Sequence, residues 1–80
     1  MHYVYIIKSV KFPDKIYFGY SDDLKARIEA HNKGKSIYTY DFRPWKLTFY
    51  CAFDDKSKAL SFEKYLKSHS GRAFIKKRFF

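Results

Sequence analysis

The chain has 80 residues, a single cysteine, 22 % aromatic side chains and 17 Lys and Arg against 8 Asp and Glu, for a net charge of +9. This length predicts one domain over residues 1–80, with burial carried by nine Phe, eight Tyr and one Trp. A lone Cys51 excludes an intramolecular disulfide and a cysteine metal cluster, and no signal-peptide pattern or run of eighteen apolar residues is present, so a soluble cytoplasmic protein is expected.

Residues 3–9 (YVYIIKS) are β-branched and aromatic and read as a strand. Pro13-Asp14-Lys15 marks a turn, and residues 16–20 (IYFGY) form a second strand paired with the first as a hairpin. Gly19 within that strand signals a bulge or a close approach. Ser21-Asp22-Asp23 offers caps for a helix from Leu24 to about His31, stopped by Asn32-Lys33-Gly34. Residues 35–45 read as a loop, and Leu47–Phe53 as a third strand. Asp54-Asp55 opens a second helix reaching about Ser68. Ser70-Gly71 is expected to break it, with a short basic helix from Arg72 to about Arg78. The order β-β-α-β-α-α predicts an α+β fold, a small, partly antiparallel sheet covered by helices.

Helical stepping places Leu24, Arg27, Ile28 and His31 within one arc of roughly 100°, so Arg27 and His31 are expected at the edge of the apolar stripe, toward the sheet. The same stepping puts Glu63 among Ala59, Leu60, Phe62 and Leu66. An unpaired buried carboxylate costs several kcal/mol, so Glu63 needs a cation, a metal or a wet cleft. Either an ion pair with Arg27 or a lysine, or a Mg²⁺ or Mn²⁺ ion taking hard oxygen ligands, would satisfy it. Lys67, one turn on, could meet Glu63 or a phosphate. Strand alternation sets Tyr3 and Tyr5 on one face of the first strand and Tyr17 with Gly19 on one face of the second. A hairpin with Tyr5 and Tyr17 on the same face puts two phenols beside the glycine gap.

The charge points to a phosphate-rich partner. A membrane surface would call for one basic amphipathic helix, whereas these lysines run through every element, so nucleic acid is the favoured partner and a membrane is not. Lys33, Lys35, Arg43, Lys67, Arg72, Lys76, Lys77 and Arg78 are candidates for backbone contacts.

Tyr3-Val4-Tyr5, Tyr17-Phe18-Gly19-Tyr20-Ser21-Asp22-Asp23-Leu24, Arg27, His31-Asn32, Arg43-Pro44-Trp45-Lys46-Leu47, Ala59-Leu60, Glu63, Leu66-Lys67 and Arg72 stand in order and at the spacing of a known family. Over roughly Tyr3 to Ile75 the chain resembles the GIY-YIG endonucleases, closest to a single-domain bacterial branch similar to the nuclease domain at the N-terminus of the UvrC repair subunit. Tyr3 stands where the family name has its first glycine, and Phe18 where it has isoleucine. The resemblance implies a three-stranded antiparallel sheet flanked by helices, and metal-assisted hydrolysis of DNA phosphodiesters. By position, Glu63 would hold Mg²⁺ or Mn²⁺ and Arg27 would stabilise charge on the phosphoryl group. Tyr17 would act as general base with Tyr5 positioning the water, the base lying among Tyr5, Tyr17 and His31. Related enzymes usually borrow specificity from an appended domain. Here branched, damaged or single-stranded DNA, or RNA, could be the substrate, with a homodimer or protein partner supplying selectivity. The alternative function is a non-catalytic nucleic-acid-binding module of the same fold.

Overall fold

The computed structural model describes residues 1–79, with Phe79 described in its backbone alone. Strands β1 (His2–Ser9) and β2 (Ile16–Ser21) are followed by helix α1 (Leu24–Asn32) and a short 3₁₀ turn (Tyr40–Phe42). Strand β3 (Trp45–Phe53) and helices α2 (Lys56–Lys67) and α3 (His69–Phe79) complete the order. The sheet is antiparallel with order β2-β1-β3, the expected α+β architecture.

The central position of β1 explains its sequence. A strand covered on both faces reads as an unbroken apolar run, and Val4, Tyr5, Ile6 and Ile7 are all buried. Val4 and Ile6 face one cluster with Phe18, Ala59, Leu66 and Ile75. Tyr5 and Ile7 face a second cluster with Trp45, bordered by Tyr17, Leu24, Ile28, Phe42 and Leu47. Helices α2 and α3 therefore cover one face, and α1 with the segment after it covers the other. The register pairs Tyr5 with Gly19 and Ile7 with Tyr17, so both phenols start from the α1 face.

Local chemistry sets the helix starts. The Asp23 carboxylate accepts from Ala26 N–H at 3.1 Å, and the Asp55 carboxylate accepts from Ser57 N–H at 2.8 Å. Gly34, at φ +80°, supplies the left-handed turn after α1.

Two boundaries differ from the sequence expectation, and so does one side chain's face. β3 begins at Trp45 rather than Leu47, because the Asn32 side chain accepts from Trp45 N–H at 2.6 Å and donates to its carbonyl at 3.2 Å. α1 and β3 are thus joined by a side chain read from sequence only as a helix stop. The break between α2 and α3 is Ser68, whose hydroxyl and N–H both donate to the Tyr65 carbonyl. Ser70-Gly71 lies inside the first turn of α3. A Cβ on Gly71 would fall 2.0 Å from the Tyr65 carbonyl oxygen, so this glycine allows close approach at the corner instead of ending a helix. Leu60, expected on the apolar face of α2, is exposed, and Ala59, Phe62 and Leu66 carry that face.

Candidate active site

The site is built around Gly19. A Cβ there would lie 2.3 Å from both Cζ and Oη of Tyr5, so the absent side chain is the space through which the phenol crosses toward β2. The Tyr5 hydroxyl ends 2.8 Å from His31 Nε2, and His31 Nδ1 lies 2.8 Å from Thr39 Oγ1. The Thr39 carbonyl accepts from Trp45 Nε1 at 2.8 Å. Tyr17 packs edge-on against the His31 ring, centroids 5.3 Å apart. Tyr5, His31 and Thr39 are all buried.

Burial, and then the positive charge of Arg27, hold the His31 imidazole below its ordinary pKa of 6.5, so it is neutral at neutral pH. A neutral imidazole donates from one nitrogen and accepts at the other. The two hydroxyls and the ring therefore form one directional chain. Burial, then Tyr17, pushes the Tyr5 phenol well above its usual range, with Glu63 adding to the rise and Arg27 opposing it. Tyr5 stays a phenol at neutral pH.

Arg27 was expected to point toward the sheet, yet its side chain is exposed, and among the described residues no hydrogen bond or ion pair holds the guanidinium. Its charge still acts on Tyr5 and His31. Glu63 rises from α2, on the opposite side of the sheet from His31. Its side chain is 20 % exposed and its carboxylate is 3.4 Å from Lys67 Nζ, so the lysine pairing foreseen for it is the one formed. The Tyr5 hydroxyl is thus within electrostatic reach of a guanidinium from one layer and a carboxylate from the other. Among the described residues, no three His, Cys, Asp or Glu gather into a metal cage. One part-exposed carboxylate does not suit zinc, but it suits a hard cation that keeps most of its water shell.

The basic candidates divide between the two faces. Lys33 and Lys35 are exposed just after α1, and Arg43 stacks on the Tyr40 ring at 4.0 Å while its Nε donates to the Tyr40 carbonyl at 2.9 Å. On α3, Arg72 and Lys76 line a groove of about 460 Å³ with Lys8, Ile16 and Phe18. Lys77 and Arg78 are exposed on the same helix. Sequence reasoning did not single out Thr39 or Lys8, and it gave Trp45 only a place in the block leading into the third strand. Thr39 sits in an irregular segment, where neither helical nor strand periodicity assigns a direction.

Comparison with known proteins places this fold in one class. The family model described as the GIY-YIG catalytic domain matches residues 1–78, and the chain belongs to that family of nuclease domains. A UPF0213 protein of Staphylococcus saprophyticus is 38% identical over 76 residues, covering 94% of this chain and 90% of that protein. Its counterpart in Staphylococcus aureus is 37% identical over 70 residues, covering 86% and 83%. The solution NMR structure of the UPF0213 protein BH0048 from Bacillus halodurans superposes with a TM-score of 0.57 at 30% identity, covering 98% of this chain and 85% of that one.

Proposed function

We propose that this protein is a metal-dependent endonuclease that hydrolyses phosphodiester bonds in DNA. The observation that carries this reading is a neutral phenol, Tyr5, bonded to a neutral imidazole and influenced by both Arg27 and Glu63.

Arg27 is free to grip a phosphate through two parallel N–H···O bonds and to neutralise the charge that builds on phosphorus. Glu63 would hold a Mg²⁺ or Mn²⁺ ion, with Lys67 yielding its contact. When bound, such an ion supplies Lewis-acid polarisation of a phosphate oxygen. Tyr17 is partly open to solvent. Acting as general base, it would take a proton from the water whose oxygen bonds to phosphorus, while the scissile P–O bond breaks and its oxygen leaves to be protonated from solvent. Tyr5, buried and locked by His31, orients the water. His31, neutral and one hydrogen bond further in, can take a proton relayed through Tyr5.

A cleavage panel of plasmid, single-stranded, flap and junction DNA, with RNA controls, tests this reading in Mg²⁺, Mn²⁺ and EDTA. Strand scission should require metal and fall at least about 100-fold in Glu63→Gln and Arg27→Ala proteins that keep the parent circular dichroism. Salt-dependent binding without cleavage in any metal would instead leave a nucleic-acid-binding module.

A further inference from the structure

The segment that supports His31 from behind carries an unusual tip. It is pinned at Thr39, which is bonded to His31 and Trp45, and at Phe42, whose carbonyl accepts from Ser9 Oγ at 2.7 Å. Between α1 and these anchors, Ile37 and Tyr38 are 85% and 76% exposed. Among the described residues Tyr38 has neither a ring partner nor a cation over its face, whereas nearby Tyr40 is covered by Arg43. Two adjacent apolar side chains held in water contribute nothing to the core. On a tip set one residue from the site's hydrogen-bonded chain, they call for an external contact.

We infer that Tyr38, flanked by Ile37, forms a stacking knob that meets an unstacked base of a bound strand. The surroundings select the occupant. Exposed Lys33 and Lys35 precede the tip and Arg43 follows it, so a polyanion is drawn to the same place. A second copy of the chain is disfavoured, because each carries a net charge of +9. An aromatic ring beside backbone-binding cations is the arrangement that grips bases irrespective of sequence. A base paired inside an intact duplex cannot offer its face to such a knob, so the contact selects strands that are single or locally opened.

This inference rests on the nucleic-acid reading above, and its test is made in EDTA so that cleavage plays no part. Fluorescence anisotropy would compare a labelled single-stranded oligonucleotide with a strand of equal length built from abasic sugars. Tyr38→Ala should weaken binding of the base-bearing strand about tenfold, leave the abasic strand and the salt dependence unchanged, and be rescued by Tyr38→Trp. An equal loss on both strands, or none on either, overturns the inference. So does a parent dimer in sedimentation velocity that dissolves in Tyr38→Ala, since the knob would then be a protein contact. A chain that cleaves with metal but shows no Tyr38 effect loses this inference alone. One that shows the effect yet never cleaves keeps it and loses the nuclease reading.

Discussion

His31 and the two phenols beside it separate structural from chemical roles. Removing the Tyr5 hydroxyl leaves a buried imidazole nitrogen without its partner, so Tyr5→Phe should cost about 1–2 kcal/mol in urea denaturation. Tyr17 touches His31 through its ring and is partly exposed, so Tyr17→Phe should change stability by less than about 0.5 kcal/mol while lowering cleavage. The pH dependence follows from His31. Its folded-state pKa lies below the unfolded value of about 6.5, so the unfolded chain binds the extra proton more readily and stability falls as pH descends through that value. Urea midpoints at pH 7.5 and 5 should show this loss, and His31→Gln should reduce it. Arg27 was expected toward the sheet and stands exposed, whereas the faces of Tyr5, Tyr17 and His31 were legible from sequence, because strand and helical periodicity assigns each a side. That of Thr39 was not, since an irregular segment gives its side chains no periodic direction.

Between elements, two glycines control fit. Gly19 leaves room for a tyrosine ring that is itself buried and bonded, so the ring cannot retreat from an added methyl. Gly19→Ala should therefore lower the melting temperature, by an overpacking cost of about 1–3 kcal/mol, and disable the site together with the fold. Gly71 faces the backbone carbonyl of Tyr65, and backbone yields less than a side chain. Gly71→Ala should destabilise at least as much by opening the α2–α3 corner, but without direct contact with Tyr5 or His31. Parent-like melting of either variant would contradict this packing. Sequence signalled both glycines yet misread the second, because a break and a close approach use the same residue for opposite reasons. The start of β3 was missed similarly: what extends it to Trp45 is the Asn32 amide, thirteen residues away.

Across the whole molecule, the charge of +9 acts before any particular contact does. Association with DNA should weaken linearly in log–log salt plots, and neutralising Arg72 and Lys76, which share a groove with Lys8, should reduce the slope by about one each. Unchanged slopes in titrations from low to moderate salt would remove α3 from the interface. The basic charge, the α+β order and the pairing of the first two strands could all be read along the chain, because charge sums and periodicity are local properties. What tertiary structure alone decided is how the site's side chains meet. Tyr5 crosses over Gly19 to reach His31. Arg27 stands in solvent, and Glu63 approaches from the opposite layer already paired with Lys67. These relations depend on which face each helix covers and on a register that sets Tyr5 against Gly19, and both are settled only when distant segments pack together.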